Sequence, residues 1–271
     1  LGVMGFPMAG HLKRNGHEVT VYNRTGTKSA KWAETHGGAS APTPALAAKG
    51  AEIVFACVGN DDDLRSIVYG EEGAFAGMSM GALFVDHTTA SAEVAREIDA
   101  AARDAGLGFL DAPVSGGQVG AINATLTIMV AGKVTAFEQV KPLFEKMGKS
   151  ITLIGGTGAG QVAKACNQIL TGVGVLAVAE AFNFAAQSGV DPARVREALL
   201  GGFAYSRILE NHGQRMIDRN FKPGFKAWMH QKDLRIVMEE AHRLGLMLPS
   251  AAATAQVFNA LVGSGMGEDD S

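Results

Sequence analysis

The chain has 271 residues, of which 47% are apolar and 19% are charged, and its formal net charge is −3. This length is sufficient to bury the core of one large domain or two smaller ones. The slight negative charge argues against a surface for nucleic acid or for anionic lipid. Two cysteines, Cys57 and Cys166, exclude a disulfide framework and a four-cysteine metal site, and no signal peptide is recognisable. We therefore expect a cytoplasmic protein with no nucleic-acid or membrane partner.

Apolar segments alternate with helical patterns in the first half of the chain. Strands are predicted at residues 17–23, 51–59, 82–88, 106–113, 125–132 and 150–155. Helical periodicity lies between them, for example at residues 91–106 and 135–148. Near-continuous apolar strands that alternate with helices are typical of a parallel sheet covered on both faces. The first half therefore predicts an α/β domain.

The second half contains no further convincing strand. Helices are predicted at residues 161–188, 192–200 and 232–244. The apolar run 165–180 is shorter than the roughly 20 residues of a membrane span, so we expect it to be a buried core helix. These patterns predict a first domain at residues 1–157 and an all-helical domain at residues 158–271, joined by a long interdomain helix.

A glycine-rich segment opens the chain. Gly2 and Gly5 match the last two glycines of a G-x-G-x-x-G phosphate loop, which in a Rossmann-type, doubly wound sheet precedes a helix. A helix that begins near Pro7 would direct its free N–H groups at a pyrophosphate, with residues Gly2, Val3, Met4 and Gly5 as the cofactor-binding loop. The first glycine and the strand before it would lie upstream of Leu1. We therefore expect the sequence to start after the first strand and to stop early downstream.

A basic turn follows the predicted strand 17–23. Enzymes that use NAD usually have an acidic residue at this point for the ribose hydroxyls, whereas this chain has "YNRTGTK". Asn23, Arg24, Thr25 and Lys28 are suited to bind a 2′-phosphate, which predicts NADP, with NADPH preferred over NADH. The alternative is a solvated basic turn with no ligand.

Five sequence blocks in this order resemble the β-hydroxyacid dehydrogenase family, which includes 3-hydroxyisobutyrate dehydrogenase and tartronate semialdehyde reductase. They are "GVMGFPMAGHL", "YNRT", "DAPVSGGQVGAINATL", "GGTGAGQVAKACNQ" and "FKPGFKAWMHQKDL". The resemblance covers essentially the whole chain. It implies a reaction that interconverts a small 3-hydroxyacid and its semialdehyde by hydride transfer.

The third block predicts a site for the substrate carboxylate. Ser115, Gly116 and Gly117 follow a predicted strand and offer a hydroxyl and uncovered backbone N–H groups. The resemblance implies that they bind the acid group of the substrate; the alternative is a plain turn. Ala124 stands where the family usually has glycine, which puts the local backbone conformation in question.

The fourth block predicts the catalytic residues. Lys164 and Asn167 are three residues apart, so they share one face of a helix. The family implies that Lys164 is the general acid and base and that Asn167 orients the hydroxyl or the lysine. From the residues alone, a lysine that reaches solvent at the start of a helix is an open alternative. Cys166, between them, is expected to be a small core residue.

The remaining predicted site residues line the cofactor. By the same resemblance, Thr89 contacts the nicotinamide, Val58 lines the cofactor, Phe225 closes its site, and Lys232 lies near the nicotinamide and the substrate. Asp233 is expected to be a cap or an ion-pair partner, and His230 a surface or core residue by default.

Substrate and assembly are predicted from similarity alone. The tartronate semialdehyde reductase branch fits best, followed by the 3-hydroxyisobutyrate branch, and then by a reductase of other short semialdehydes or of glyoxylate. Lys164 argues against an imine reductase, and a non-catalytic domain that binds NADP is a further alternative. The family packs its helical domain against a second subunit, so we expect a dimer or tetramer with a small carboxylate substrate and no metal.

Overall fold

A computed structural model describes residues 1–271, which divide into two compact units, Leu1–Lys164 and Ala165–Ser271. The change from alternating strands to helices predicts a domain boundary between residues 157 and 158, and this boundary stays a prediction. The first unit is α/β and the second is helical, which confirms the predicted fold class.

The strands of the first unit form two sheets. The bounds are β1 Thr20–Val21, β2 Ala39–Ser40, β3 Ile53–Ala56, β4 Leu83–Asp86, β5 Gly108–Asp111, β6 Val114–Ser115, β7 Leu126–Gly132 and β8 Gly148–Gly155. Strands β1 and β2 pair with each other in parallel, and the other six form one sheet in the order β3-β4-β5-β7-β6, with β8 also paired to β7.

The larger sheet is mixed, which corrects the expectation of a parallel sheet. Strands β3, β4 and β5 are parallel, as are β7 and β8, but β7 runs antiparallel to both β5 and β6. The connection between β6 and β7 holds only a short helix, and a parallel pairing needs a crossover of about a dozen residues or more. The short connection therefore returns β7 in the opposite direction.

Helices cover this sheet. The bounds in the first unit are α1 Gly5–Arg14, α2 Gly26–His36, α3 Pro44–Ala48, α4 Asp61–Val68, α5 Ala74–Gly77, α6 Ala92–Asp104, α7 Gly117–Ile122 and α8 Val134–Phe144. Leu83 and Val85 belong to a buried cluster on one face of β4, and Phe84 between them belongs to a cluster on the other face. Because successive residues of a strand point to opposite faces, the sheet is covered on both sides as predicted.

The second unit consists of helices and turns. Its bounds, with the long helix that enters it from the first unit, are α9 Ala159–Gln187, α10 Pro192–Leu200, α11 Arg207–Ile217, α12 Ala227–Leu244 and α13 Pro249–Leu261, followed by a π-helical turn at Val262–Met266. The predicted helix 192–200 is confirmed, and Asp191 caps it by accepting a hydrogen bond from the Ala193 N–H at 2.9 Å. Small clusters around Phe182 and Leu209 and around Leu234 and Phe258 form its core.

Helix α9 differs from its prediction. It has 29 residues and is long and apolar enough to cross a membrane by length and composition alone. Only 28% of its most apolar window is buried within the chain, so the expectation of a buried core helix is wrong for the chain by itself.

Candidate active site

Three parallel strands of the first unit end at one edge of the sheet. In register, Ala56 of β3 lies beside Asp86 of β4, which lies beside Asp111 of β5. Ligands of open α/β sheets bind outside the carboxyl ends of such strands. The Val58 N–H donates to Thr88 Oγ1 at 3.1 Å, so the segments after β3 and β4 are joined. This places Val58 and the neighbour of Thr89, both predicted from the sequence, at the same edge.

The glycine loop lies beside this edge. Helix α1 begins at Gly5, two residues before the predicted start near Pro7, and its N-cap Met4 provides no side-chain hydrogen bond. A Cβ at Gly5 would lie 3.7 Å from the Cys57 Cβ, just after β3, and a Cβ at Gly2 would meet no atom within 4 Å. The backbone at Gly2 is therefore uncovered just before the start of α1, and a helix N-terminus can bind a diphosphate.

The basic turn after β1 is close to the glycine loop. The Leu1 nitrogen donates to Asn23 Oδ1 at 2.6 Å, and Asn23 Nδ2 donates to the Thr25 carbonyl at 3.1 Å. Thr25 is the N-cap of α2, and the first turn of α2 contains Lys28 and no acidic residue. Arg24 is exposed and pairs with Asp63 at 3.1 Å. The sequence did not predict Asp63, an acidic partner at the position proposed for a 2′-phosphate.

The predicted carboxylate site is part strand and part turn. Ser115 is the last residue of β6, which corrects the expectation that it lies in a loop, because it pairs with Thr127 of β7. Gly116 and Gly117 follow with φ of 130° and 59°, in a region that side chains rarely adopt. The turn leads into α7, and His11 Nε2 of α1 lies 2.9 Å from the Ala121 carbonyl of α7. The glycine turn is thereby tied to the helix that follows the phosphate loop.

The start of α9 is bound to the strand ends. Asp111 accepts hydrogen bonds from the N–H groups of Gly158 at 2.7 Å and Gln161 at 3.0 Å. The Gln161 side chain donates to the Thr88 carbonyl at 2.8 Å and accepts from the Ala90 N–H at 3.1 Å. Lys164 follows one turn later and is buried, with 7% of its surface exposed. A lysine that snorkels to solvent is therefore not what the structure shows.

Buried titratable groups surround these contacts. Burial raises the pKa of Asp86 to about 7, and hydrogen bonds from Thr88 oppose this effect. Burial also raises the pKa of Asp111 to about 6, and hydrogen bonds from the N–H groups of Gly158 and Gln161 oppose this effect. Burial lowers the pKa of His87 to about 4, and its ring stacks on Phe55 at 5.5 Å. The lowered pKa keeps His87 neutral at pH 7.

A second polar cluster lies in the helical unit. Asn167 Nδ2 donates to Gln168 Oε1 at 2.7 Å, and Gln168 Nε2 donates to Asp233 Oδ2 at 2.6 Å. Asp233 also pairs with Lys232 at 2.9 Å. The expected ion-pair role of Asp233 is observed, and the structure joins two predicted residues, Asn167 and Lys232, through Gln168 and Asp233.

Other predicted residues fall on either side of this cluster. The Phe225 and His230 rings are 5.5 Å apart, and His230 is buried, with Nε2 3.4 Å from the Gln168 carbonyl. His230 is thus a core residue. Cys166 is exposed, and the expectation of a core position is wrong because it faces away from the buried side of α9.

Four polar residues escaped the sequence analysis, namely Asp63, Asp111, Gln161 and Gln168. Asp111 and Gln161 bind groups 47 to 73 residues away in the chain, so no local pattern marks them. The one available signal was their position, since Asp111 ends an apolar strand and Gln161 precedes Lys164 by one turn.

Comparison with known proteins identifies the family. A model described as the NAD binding domain of 6-phosphogluconate dehydrogenase matches residues 1–155, and a model described as NAD-binding of NADP-dependent 3-hydroxyisobutyrate dehydrogenase matches residues 158–271. The chain belongs to the β-hydroxyacid dehydrogenase family. It is 43% identical to the 2-hydroxy-3-oxopropionate reductase of Escherichia coli over 98% of this chain and 90% of that protein.

Two further relatives agree with this assignment. The chain is 37% identical to a probable mitochondrial 3-hydroxyisobutyrate dehydrogenase-like protein of Arabidopsis thaliana, over 98% of this chain and 80% of that one. The structure of 3-hydroxyisobutyrate dehydrogenase from Mycobacterium tuberculosis with L-serine superposes with a TM-score of 0.90 at 30% identity, covering 100% of this chain and 94% of that one. This β-hydroxyacid dehydrogenase is therefore an NAD(P)-dependent oxidoreductase of the hydroxyacid type.

Proposed function

We propose that the chain is an NADP(H)-dependent reductase that interconverts a small 3-hydroxyacid and its semialdehyde, with tartronate semialdehyde as its first candidate substrate. The observation that carries this proposal is the burial of Lys164 one helical turn after Gln161, whose side chain binds the Thr88–Ala90 segment at the strand ends. An amine held at this edge is suited to exchange a proton with a substrate oxygen.

The roles of the residues follow from the reaction. A bound nicotinamide cofactor supplies a hydride to the carbonyl carbon in reduction, or accepts one in oxidation. Lys164 Nζ gives a proton to the carbonyl oxygen in reduction and takes it from the hydroxyl in oxidation. Asn167 lies on the same face of α9 and orients that oxygen. Three residues bind the substrate carboxylate, namely Ser115, Gly116 and Gly117.

The cofactor contacts are assigned to the edge already described. The N-terminus of α1, with Gly2, Val3, Met4 and Gly5, is assigned to the diphosphate, because a Cβ at Gly2 would meet no atom within 4 Å and a helix N-terminus favours an anion. Val58 and Thr89 would line a bound nicotinamide at this edge, and Phe225 and Lys232 of the second unit are assigned to the cofactor by the family resemblance alone.

The preference for NADPH over NADH rests on the turn after β1. Arg24 is exposed and pairs with Asp63, and the first turn of α2 contains Lys28 and no acidic residue. These groups offer positive charge and a helix N-terminus to a 2′-phosphate. Asn23 and Thr25 provide the polar surroundings.

A second copy of the chain is proposed to cover α9 and its neighbours. Large apolar side chains are exposed there, with Leu170 and Phe184 of α9 at 73% and 75%, and Phe203 after α10 is fully exposed. Contiguous exposed apolar surface typically marks an interface. Light scattering after size-exclusion chromatography should show a dimer or tetramer, and Phe184→Glu should lower the mass of the particle; a monomeric wild type would contradict this assembly.

The test of function is NADPH oxidation by the full chain with tartronate semialdehyde, methylmalonate semialdehyde, succinic semialdehyde and glyoxylate, with NADH in parallel. Lys164→Ala should reduce kcat by about a hundredfold or more, as expected for loss of a general acid, while the dissociation constant for NADPH stays within about twofold. The matched control is Lys149→Ala, since Lys149 is exposed on β8.

Each outcome has a definite meaning. Turnover of tartronate semialdehyde with loss of rate in Lys164→Ala supports the proposal, and faster turnover of another semialdehyde reassigns the substrate. If Lys164→Ala retains the rate, the assignment of the general acid is wrong. If the protein binds NADPH but reduces none of the four compounds, cyclic imines become the next substrates to test and the reductase proposal fails.

A further inference from the structure

The first turn of α9 is capped by a carboxylate from another element. The first N–H groups of a helix have no partner within the helix. Asp111, the last residue of β5, is fully buried, and its two oxygens accept from Gly158 N at 2.7 Å and from Gln161 N at 3.0 Å. A Cβ at Gly160 would lie 2.8 Å from Asp111 Oδ2 and 2.5 Å from the Met129 carbonyl, so only glycine permits this approach. The helix start is therefore fixed to the end of the sheet.

The Gln161 amide makes a second, independent connection. Its Nε2 donates to the Thr88 carbonyl at 2.8 Å, and its Oε1 accepts from the Ala90 N–H at 3.1 Å. The two contacts lie on either side of Thr89, and the side chain is only 2% exposed. One donor and one acceptor are thus both used in a site without solvent, so a group of different hydrogen-bonding character would leave a buried polar atom unpaired.

The segment that Gln161 binds is itself held to the neighbouring strand ends. Thr88 Oγ1 accepts from Val58 N at 3.1 Å, and Thr88 N donates to Asp86 Oδ1 at 2.8 Å. Gln161 and Lys164 are three residues apart on α9 and so lie on one face of the helix. A continuous set of contacts therefore runs from Val58 through Thr88 and Gln161 to the turn that bears Lys164.

We propose that Gln161 is a positioning residue that fixes Lys164 relative to the Thr88–Ala90 segment, with Asp111 anchoring the helix start, and this rests on the proposed role of Lys164. The two connections act on the same turn in different directions: Asp111 holds the helix end against the sheet, and Gln161 fixes its rotation. A displacement of a catalytic group by about 1 Å can cost about a hundredfold in rate. Gln161 touches neither substrate nor cofactor in this assignment and acts through Lys164.

The decisive experiment is a double-mutant cycle between Gln161→Met and Lys164→Ala, with kcat measured at saturating semialdehyde and NADPH. Methionine has a similar volume and neither of the two hydrogen bonds. In the presence of Lys164, Gln161→Met should lower kcat by about tenfold to a hundredfold. In the Lys164→Ala background, the same substitution should change the residual kcat by less than about threefold, because its target is already absent.

A purely structural role of Gln161 predicts a different result. Loss of folded protein would lower the rate by a similar factor in both backgrounds, and so would loss of cofactor contacts. The circular dichroism spectrum and the dissociation constant for NADPH should remain close to those of wild type for Gln161→Met. Equal losses in both backgrounds, or a kcat for Gln161→Met within about twofold of wild type, would overturn the proposal.

Gln161→Glu provides a second test with a pH signature. A protonated carboxyl has one donor and one acceptor, as the amide has, whereas an ionised carboxylate only accepts and would face the Thr88 carbonyl. Asp86, Asp111 and Lys164 surround this amide and are present in both proteins, so the variant is compared with wild type at each pH. The ratio of the variant kcat to the wild-type kcat should be near one at low pH and fall about tenfold or more as the introduced carboxyl of the Gln161→Glu variant ionises. Gln139→Glu, an exposed position on α8, controls for added charge. Identical pH profiles for Gln161→Glu and wild type would contradict the role of the amide.

The two proposals fail separately. If Lys164→Ala keeps the wild-type rate, the assigned acid is wrong and the positioning role is lost with it. If Lys164→Ala loses the rate and Gln161→Met does not, only the positioning role fails.

Discussion

Asp86 offers a direct test of the electrostatics at the strand ends. It is fully buried, Oδ1 accepts from the Thr88 N–H at 2.8 Å, and Oδ2 has no hydrogen-bond partner. Burial disfavours the charged form and raises the pKa to about 7, nearby Asp111 adds to the effect, and hydrogen bonds from Thr88 oppose it. We predict that Asp86→Asn stabilises the fold above pH 7 and has little effect near pH 4.

The sign and size of this effect follow from proton linkage. The folded protein holds the Asp86 proton up to about pH 7, whereas the unfolded chain releases it near the ordinary value of 3.8. The unfolded state therefore binds fewer protons between these values, and the free energy of unfolding falls as pH rises through this window. At about 1.4 kcal/mol for each pKa unit, the loss reaches up to about 4 kcal/mol above pH 7. Asparagine keeps the acceptor for Thr88 and does not ionise, so this loss disappears.

The assay is urea unfolding followed by circular dichroism for wild type and Asp86→Asn, at half-unit intervals from pH 4.5 to 8.5. Asp111, whose pKa is raised to about 6 by burial, contributes its own slope to both proteins, so the difference between the two curves reports Asp86 together with its interaction with Asp111. Asp104→Asn, an exposed position at the end of α6, is the matched control. Parallel curves for wild type and Asp86→Asn would show that Asp86 is ionised in the folded protein throughout, and would refute this reasoning.

Two other predictions concern the backbone at Ala124, after α7, and the choice between NADPH and NADH. Ala124 has φ of 55°, a conformation that costs a residue with a Cβ about 1–2 kcal/mol. Glycine removes this strain, but it also increases the entropy of the unfolded chain, which offsets part of the gain in stability. Ala124→Gly should therefore raise the free energy of unfolding by up to about 1 kcal/mol in the urea assay, and a lower value would show that the turn is not strained. Asp63→Asn removes the carboxylate 3.1 Å from Arg24 and should raise the ratio of kcat/KM for NADPH to that for NADH severalfold, as expected when a competing charge is lost. Asp62→Asn on the same helix is the control. An unchanged ratio for Asp63→Asn would show that Arg24 does not bind the 2′-phosphate.

The sequence predicted the layers of the fold better than the direction of its strands. Apolar runs identified each strand of the larger sheet except β6, because burial on both faces leaves a continuous hydrophobic signal. Strand direction depends on which segments pair, and the short β6 carries no periodic signal of its own. The strand predicted at residues 17–23 covers only Thr20–Val21 in the structure, since only those two residues pair with β2.

The candidate site divides in the same way. Spacing along one helix and glycine-rich turns are local features, so Lys164, Asn167 and the two glycine loops were found. The polar contacts that hold them were not, because each joins segments distant in sequence: Asp111 to the start of α9, Gln161 to the segment after β4, and Arg24 to Asp63 on α4. The sequence put the backbone conformation at Ala124 in question because the family usually has glycine there. The positive φ of Ala124 is the conformation that favours glycine.

The side chains next to the proposed catalytic residues Lys164 and Asn167 are both amides. Gln161 lies one turn before Lys164 and Gln168 lies next to Asn167; both are buried, and both use the amide as donor and acceptor. An amide cannot gain or lose a proton in the ordinary pH range, so its geometry stays fixed while a neighbouring lysine changes its charge. Carboxylates occur at the outer ends of these contacts, where Asp111 binds backbone N–H groups and Asp233 pairs with Lys232. The two amides that orient α9 therefore take no part in the proton exchange, which the proposed reaction assigns to Lys164.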